Sequence, residues 1–334
     1  MKLATLRNGT RDGQLIVVSR DLQWAVVPPR GPGCLQTLLD DWNDHAANLH
    51  AVARELEAGD IDGVFRFDAH AVLAPLPRAF QWLDASGYLN HVALVRRARG
   101  ADMPEGLYRD PIMYQGASDG FLAPCDPIPI VSDDDWGADF EAEIVAILGD
   151  CPVGPDRETA MKAIRLLGLI NDISLRALIP DEIKKGFGFI HGKPRSALSP
   201  VFVTPDELGE AWDGTKISLP LVVHLNGTLF GNPDAGTDLN FDFAALIMHA
   251  AKTRPLASGT VLGSGTVSNV DPKTGSCCLV ERRVREVIEH GTTETPFLRP
   301  GDRVEIEMCD VTGQSIFGKI DQVVATHSPS SGYW

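Results

Sequence analysis

The stretch FEAEIVAIL, residues 140–148, predicts a β-strand that carries two carboxylates, Glu141 and Glu143. Residues two apart on a strand point to the same side of the sheet, so these two carboxylates should face the same way. At the roughly 5–7 Å that separates such positions, they repel one another unless water or a cation lies between them. The strand is therefore either solvated on one face or part of a cation site.

A third carboxylate lies further along the chain in an apolar setting. Asp172 interrupts the run LLGLINDISL, residues 166–175, and an unpaired carboxylate buried there would be costly. Two explanations fit the pattern. Either Asp172 pairs with Arg176 while the two glutamates face solvent, or the carboxylates together hold a hard divalent cation. An all-oxygen ligand set suits Mg²⁺, Mn²⁺ or Ca²⁺ better than zinc, and Mg²⁺ is our first expectation.

Composition argues against several classes of protein. The chain of 334 residues is 44% hydrophobic and 22% charged, which indicates a packed core rather than disorder. Its formal net charge of −15 and the lack of a dense Lys/Arg run argue against nucleic-acid binding. It has no apolar stretch of membrane-spanning length and no signal-peptide pattern, so we expect a cytoplasmic protein that does not bind membranes. The six cysteines form no CxxC pair, which predicts reduced thiols rather than a zinc–thiolate site.

The pattern of predicted elements divides the chain into two parts. Residues 1–70 contain short strands and a helix over 35–58 that Gly59 should end, which predicts a small N-terminal domain. Residues 71–334 contain mainly strand patterns and are predicted to form one catalytic domain. Its clearest features are a type I′ hairpin at Asn226-Gly227, a helix over 241–253 capped by Asn240 or Asp242, and strands over 276–289, 303–310 and 315–325.

Four short motifs surround the carboxylates in a fixed order. They are WGADFEAEI (136–144), LINDISLR (169–176), GKPRS (192–196) and VLGSGT (261–266). Together they resemble the fumarylacetoacetate hydrolase family over roughly residues 70–325. The resemblance implies an α+β, mainly β fold, in which a mixed β-roll catalytic domain of the fumarylacetoacetase C-terminal type follows the small N-terminal domain. It also implies a homodimer.

The resemblance implies a set of metal ligands and a base. The family binds a divalent metal through an aspartate, an E-x-E pair and a second aspartate, which correspond here to Asp84, Glu141, Glu143 and Asp172. In the family the first aspartate precedes the catalytic histidine by seven residues, and Asp84 precedes His91 by the same interval. His91 is therefore assigned as the general base, a role that suits an imidazole near neutral pH.

The remaining groups match the family less completely. A glutamate should orient the histidine from the fourth position after a glycine, but that position counted from Gly275 is Leu279, and Glu281 is the nearest candidate. The position of one substrate-contacting tyrosine is Ser86. The assignments that the resemblance implies are Lys193 and Glu281 as catalytic groups, and Tyr114, Thr266 and, with a shift of one residue, Arg99 as substrate-binding groups.

These assignments imply a metal-dependent hydrolase that acts on a small anionic substrate. It would cleave a carbon–carbon bond in a β-diketone acid, such as fumarylacetoacetate or an acylpyruvate, during the breakdown of aromatic compounds. The metal would stabilise the departing enolate, and a histidine-activated water would attack the other carbonyl. A decarboxylase or isomerase of 2-oxo acids would use the same metal core without that water. A protein that only holds a structural ion is a third alternative.

Overall fold

The computed structural model describes residues 1–98, 100–130 and 136–326 and has an α+β, mainly β fold. Its first part contains β1 (Lys2–Leu6), β2 (Gln14–Val18), β3 (Trp24–Val26), α1 (Leu35–Asp40), α2 (Trp42–Ala58), β4 (Phe65–Arg66) and β5 (Val72–Leu73). The helix predicted over 35–58 is thus two helices that meet at Asp41. It ends as predicted at Gly59, whose φ of 75° is left-handed.

The rest of the chain adds strands to two main sheets and forms a small two-stranded sheet from Ala138–Asp139 and Ser174–Leu175. These strands are β6 (Gln81–Ala85), β7 (Met113–Gln115), β8 (Ile128–Ile130), β9 (Ala138–Asp139), β10 (Ala142–Leu148), β11 (Ile164–Asn171), β12 (Ser174–Leu175), β13 (Ala197–Leu198), β14 (Phe202–Val203), β15 (Val222–Leu225), β16 (Thr228–Gly231), β17 (Thr260–Gly263), β18 (Arg303–Glu307) and β19 (Ile320–Thr326). The larger sheet has the order β4-β3-β2-β1-β14-β11-β10-β17-β6-β7. Strand β1 pairs antiparallel with β14, so this sheet continues from the first part of the chain into the second.

The smaller sheet has the order β16-β15-β18-β19-β8. Strands β15 and β16 form the predicted hairpin, and its turn residues Asn226 and Gly227 have φ values of 52° and 76°, as a type I′ turn requires. Strands β18 and β19 confirm two of the three strands predicted for the C-terminal part.

The third of those predicted strands, over 276–289, is wrong, because Leu279–His290 form a helix, α7. The β-branched residues of this segment favour a strand. However, Val280, Val284 and Val287 recur at helical spacing. Asp139 completes the helix start, since its carboxylate accepts the backbone N–H groups of Leu279 and Val280 at 2.7 and 3.0 Å. That contact joins residues far apart in sequence, so the local pattern could not reveal it.

Shorter helices connect the strands. They are α3 (Leu89–Ala98), α4 (Arg157–Ala163), α5 (Ile179–Lys185) and α6 (Phe243–Ala250), with 3₁₀ turns at Glu105–Tyr108, Pro205–Ala211 and Pro272–Thr274. Of the two predicted caps for α6, Asp242 accepts the Ala245 N–H at 3.0 Å. Among the described residues, none of the helices combines the length and the apolar character that crossing a bilayer requires.

Strand β10 lies within the larger sheet and is buried on both faces. Ile144 and Ala146 pack in a core shared with the smaller sheet, whereas Val145 and Ile147 pack in a core shared with α1 and α2. A strand covered on both faces is normally apolar throughout. Glu143 on this strand has no solvent exposure, which marks it as a residue that needs a partner.

Candidate active site

Three buried carboxylates meet where the strands of the larger sheet end. Asp84 lies on β6, Glu143 on β10, and Asp172 directly follows β11. The backbone N–H of Asp172 donates to the carbonyl of Glu141 at 2.8 Å, which fixes the end of β11 against the start of β10. One carboxylate oxygen from each of the three residues lies within 4.8 Å of the others. We call this set the carboxylate group.

Two unpaired carboxylate oxygens indicate that the carboxylate group can hold a divalent cation. Asp84 Oδ1 and Glu143 Oε1 are buried and have no hydrogen-bond partner. A Cβ at Gly263 would lie 2.7 Å from Asp84 Oδ1 and 3.0 Å from Glu143 Oε2, so glycine here leaves the space to the carboxylates. Buried carboxylate oxygens without donors are costly, and a hard cation satisfies several of them at once.

Burial and mutual repulsion shift the pKa values of this group. Burial, followed by the charge of Asp172, raises the pKa of Asp84 to about 7. Burial, followed by the charge of Asp84, raises the pKa of Glu143 well above its usual range. Without a cation, burial and repulsion therefore favour the protonated forms of these carboxyls.

We expect Mn²⁺ affinity to increase with pH between 6 and 8. The ion must displace protons whose pKa values in the metal-free protein are raised, so each displaced proton tightens binding about tenfold per pH unit below its pKa. For the proton of Asp84 this gain should level off above about pH 7, and the raised pKa of Glu143 acts in the same direction. Calorimetric titrations in buffers of different ionisation enthalpy would count the released protons. An affinity that does not vary with pH would contradict this account.

The fourth predicted ligand, Glu141, is held mainly by cations. Arg176 Nη2 and Thr266 Oγ1 each donate to its Oε1 at 2.8 Å, and Lys193 donates to its Oε2. Burial alone would raise the pKa of Glu141, but the charges of Arg176 and Lys193 outweigh it and hold that pKa well below its usual range. Lys193 Nζ also lies 2.5 Å from Asp172 Oδ2 and so connects Glu141 to the carboxylate group.

The alternative in which Asp172 pairs with Arg176 is wrong. Asp172 instead accepts hydrogen bonds from Lys193, from Tyr114 OH at 2.6 Å and from Ser196 Oγ at 2.5 Å. Arg176 pairs with Asp139 and Glu141. The predicted groups Lys193, Tyr114 and Thr266 thus all contact predicted metal ligands.

His91 lies beside Glu141 and has a second carboxylate behind it. Its Nε2 is 3.5 Å from Glu141 Oε1, and its Nδ1 is 3.3 Å from Glu281 Oε2. Glu281 is fully buried on α7, and its Oε1 accepts from Ser268 Oγ at 3.1 Å and from Arg285 Nη2 at 2.9 Å. The imidazole keeps 14% of its side-chain surface exposed, so solvent can reach it. This arrangement suits a base oriented by a fixed acid.

Asp139 and Arg176 belong to this network and lie outside our sequence-based assignments. Asp139 starts helix α7, which carries Glu281, and Arg176 connects Asp139 to Glu141. A signal for each is present in the motifs. Asp139 extends the alternating pattern of Glu141 and Glu143 to three acids, and Arg176 follows Asp172 by four residues. Arg99 lies outside the described residues, so its predicted substrate contact stays a prediction.

Lys193 is positioned by the loop that precedes it. The carboxylate of Glu182, on α5, accepts the backbone N–H groups of residues 190, 191 and 192 at 2.8–2.9 Å. Phe189 of this loop packs edge-on against Tyr114, with ring centroids 4.9 Å apart. Both rings and Lys193 line a cavity of about 1080 Å³ that also contacts Arg254. The wall of this cavity therefore carries both apolar and basic side chains, and two of its residues, Tyr114 and Lys193, contact Asp172.

Comparison with known proteins identifies the family. A family model described as fumarylacetoacetate (FAA) hydrolase C-terminal matches residues 81–325, and one described as fumarylacetoacetase N-terminal domain 2 matches residues 1–78. A sequence comparison with curated proteins gave no significant match. The fold and site define a two-domain, mainly β protein with a buried carboxylate group. Since the first model covers more than half of it, the chain belongs to the fumarylacetoacetate hydrolase family, which confirms the resemblance of its motifs.

Solved structures share this fold over nearly the whole chain. Fumarylacetoacetate hydrolase from Exiguobacterium antarcticum is 19% identical, with a TM-score of 0.65. Maleylpyruvate hydrolase from Sphingobium sp. SYK-6, in complex with manganese (II) ion and pyruvate, is 16% identical, with a TM-score of 0.64. The 5-carboxymethyl-2-hydroxymuconate delta-isomerase from Mycobacterium smegmatis is 17% identical, with a TM-score of 0.58. Each comparison covers 98% of this chain and 100% of the other.

Proposed function

We propose that this protein is an enzyme that hydrolyses a carbon–carbon bond in an acylpyruvate or a similar β-diketone acid. The observation that carries the proposal is the position of the His91–Glu281 pair, which shares the Glu141 carboxylate with the residues around the carboxylate group. A hydrolase needs both a cation for the enolate and a base for water, and these residues would supply both. The names of two relatives with this fold, a fumarylacetoacetate hydrolase and a maleylpyruvate hydrolase, support the same reaction class.

The carboxylate group would hold the metal through Asp84, Glu143 and Asp172, with Glu141 as the fourth ligand. Mg²⁺ and Mn²⁺ both suit such oxygen ligands, and a relative with this fold contains manganese and pyruvate. When bound, the divalent ion polarises the diketone oxygens and stabilises the negative charge of the enolate that leaves. Lys193 would share this task, since its buried ammonium already faces Glu141 and Asp172.

His91 would activate the attacking water. With the Nδ1 proton directed to Glu281, the Nε2 lone pair is free to take a proton from water as its oxygen bonds to the acyl carbonyl. The bond between that carbonyl carbon and the neighbouring carbon then breaks. The acyl group leaves as a carboxylic acid, and the enolate takes up the proton that His91 removed from water. Glu281 stabilises the imidazolium between these two steps.

Tyr114 would bind substrate as a hydrogen-bond donor. Burial, followed by the charge of Asp172, raises the pKa of Tyr114 well above its usual range, so its hydroxyl stays protonated. That hydroxyl donates its single proton to Asp172 and lines the cavity beside Lys193. It would turn from Asp172 to the substrate once a cation neutralises that carboxylate. A substrate carboxylate that enters here meets one donor and one cation, which would orient the diketone toward the carboxylate group.

The assay that tests this proposal follows both substrate and products. Purified protein with Mn²⁺ or Mg²⁺ is incubated with fumarylacetoacetate, maleylpyruvate, fumarylpyruvate and acetylpyruvate, and loss of diketone absorbance is recorded. Formation of pyruvate or acetoacetate together with the free acid in equal amounts would support hydrolysis. Stable absorbance with all four compounds would contradict it.

The isomerase with this fold favours a second candidate function, in which the metal core only stabilises an enolate. Such an enzyme isomerises or decarboxylates an unsaturated 2-oxo acid and does not incorporate water into the product. Incubation in H₂¹⁸O separates the two functions. A hydrolase places ¹⁸O in the released carboxylic acid, whereas a decarboxylase releases CO₂ and an isomerase leaves the mass of its substrate unchanged apart from exchange.

Replacement of Glu281 by glutamine should lower kcat by about 10- to 100-fold. The amide fits the same space, but it can no longer stabilise a positive charge on His91 at 3.3 Å. The pH profile of kcat/KM should shift as well, because the charge beside the base has changed. A purely structural role for Glu281 would reduce the amount of folded enzyme without moving the pH profile.

A further inference from the structure

We infer that His91, Glu141 and Cys278 form a second cation site, for a soft or borderline divalent ion such as zinc, and that an ion bound there blocks His91. We call it the histidine–thiol site. The blocking effect rests on the proposed function, whereas binding of the ion does not. The sequence argues against any zinc–thiolate site because it has no CxxC pair, but the fold brings one cysteine to a histidine and a carboxylate.

The spacing of these side chains suits a small ion. One ligand atom from each of the three residues lies within 4.8 Å of the others. His91 Nε2 is 3.5 Å from Glu141 Oε1, whereas Cys278 Sγ is 3.9 Å from the other ring nitrogen, Nδ1. Ligands held at about 2.0–2.3 Å from a tetrahedral zinc ion are about 3.3–3.6 Å apart. Because an ion binds one ring nitrogen, the 4.8 Å limit sets the change needed, and ligand atoms would have to approach one another by up to about 1.5 Å to close the site.

The chemistry of the ligands separates this site from the carboxylate group. Nitrogen, sulfur and one oxygen favour zinc, whereas three carboxylates favour Mg²⁺ or Mn²⁺. Binding would release the thiol proton of Cys278 to solvent. Glu281, behind the His91 ring, and Arg285, which pairs with Glu281, provide the outer contacts that histidine ligands of zinc usually have.

A cysteine nucleophile is the other chemistry that this cluster could suggest, and the geometry argues against it. In a nucleophile–histidine–acid arrangement, the nucleophile and the acid contact opposite ring nitrogens. Here Cys278 Sγ and Glu281 Oε2 both approach Nδ1, while Nε2 faces Glu141. Nδ1 cannot accept the thiol proton while it donates to Glu281. Metal binding through Nε2 needs no proton transfer to Nδ1 and keeps the contact between Nδ1 and Glu281, so it is the better interpretation.

Cobalt and zinc titrations would test the histidine–thiol site directly. Wild type, Cys278→Ser and Cys277→Ser are first saturated with Mg²⁺, which occupies the carboxylate group. Cys277 is the matched control, because it is equally buried next to Cys278 but packs in the hydrophobic core. We expect a thiolate-to-cobalt charge-transfer band in wild type and Cys277→Ser, and its absence in Cys278→Ser. Zinc should bind one equivalent, at least tenfold more weakly to Cys278→Ser.

A wild-type protein with no thiolate band, or a Cys278→Ser protein that binds zinc as tightly as wild type, would overturn the site. Because the wild-type spectrum needs no variant, a folding defect in Cys278→Ser leaves the test decisive. His91→Ala should weaken zinc binding as well. Cys277→Ser should keep wild-type turnover.

Inhibition is scored against the zinc-free rate of each variant. Zinc should inhibit wild type and Cys277→Ser at concentrations that leave Cys278→Ser active, and equal inhibition of all three would overturn the blocking of His91. If the cobalt band forms but none of the diketones is turned over, the proposed function fails and the site stands.

Discussion

Replacement of His91 by alanine should lower kcat for acylpyruvate hydrolysis by about 10²- to 10⁴-fold, the range typical of a lost general base. The methyl group of alanine cannot take a proton from water, and Glu281 is left without the ring that it orients. Mn²⁺ affinity should change much less, since Asp84, Glu143 and Asp172 keep their positions. Single-turnover rates and calorimetric Mn²⁺ binding would measure the two effects separately.

A matched control for this variant is His224→Ala. His224 lies on β15 of the smaller sheet, outside the network of His91 and the carboxylate group, and its replacement should leave kcat within about twofold. If His91→Ala retained full activity while His224→Ala behaved as expected, a base-free reaction such as decarboxylation would become the preferred function. Loss of Mn²⁺ binding in His91→Ala would instead indicate that the histidine is needed to form the metal site.

Features of the fold that depend on local sequence were predictable. The hairpin at Asn226-Gly227 follows from two residues that tolerate positive φ between apolar runs, and the structure confirms it. The end of α2 at Gly59 and the cap of α6 at Asp242 follow from the same kind of local chemistry. In each case the residues that specify the structure are neighbours in sequence.

Helix α7 shows where local patterns fail. Its β-branched residues are compatible with a strand, and the helix start depends on Asp139, which lies 140 residues before Leu279 in the chain. The wrong strand prediction also conceals how Glu281 reaches His91. The direction of the Glu281 side chain depends on where helix α7 begins, and Asp139 fixes that point. Contacts between distant parts of the chain decide where this helix begins, and a single sequence does not display such contacts.

The candidate site likewise has features that local sequence predicts and others that depend on distant contacts. Its residue types were predictable, because carboxylates in apolar runs need partners. The arrangement of their partners was not predictable. Glu141 is held by Arg176 and Lys193, whereas the sequence suggested Arg176 as a partner of Asp172. The roles of the individual site residues, the domain boundary near residue 70, the homodimer, the cytoplasmic location and the choice of Mg²⁺ stay predictions.

Replacement of Glu143 by glutamine should lower turnover on the order of 10³-fold, because the bound metal contributes several kcal/mol to stabilising the enolate. Replacement of a residue that only hydrogen-bonds to a metal ligand typically weakens metal binding 10- to 100-fold. Because Glu143 would be a ligand itself, Mn²⁺ affinity should fall by more than that. A suitable control is Glu207→Gln. Glu207 is also nearly buried and ion-paired, but its partners are the N-terminal ammonium and Arg20, which do not contact the carboxylate group. That variant should bind Mn²⁺ as wild type does.

Thermal unfolding separates a ligand role of Glu143 from a structural one. Burial raises the pKa of Glu143, which favours the neutral form of this carboxyl in the metal-free protein, and an amide resembles that form. Metal-free Glu143→Gln should therefore unfold at about the same temperature as metal-free wild type, or higher. Mn²⁺ should raise the Tm of wild type, because it binds only the folded state, and it should fail to raise the Tm of Glu143→Gln. A variant destabilised without metal, yet still stabilised by Mn²⁺, would show that Glu143 supports the core and that the ion binds elsewhere.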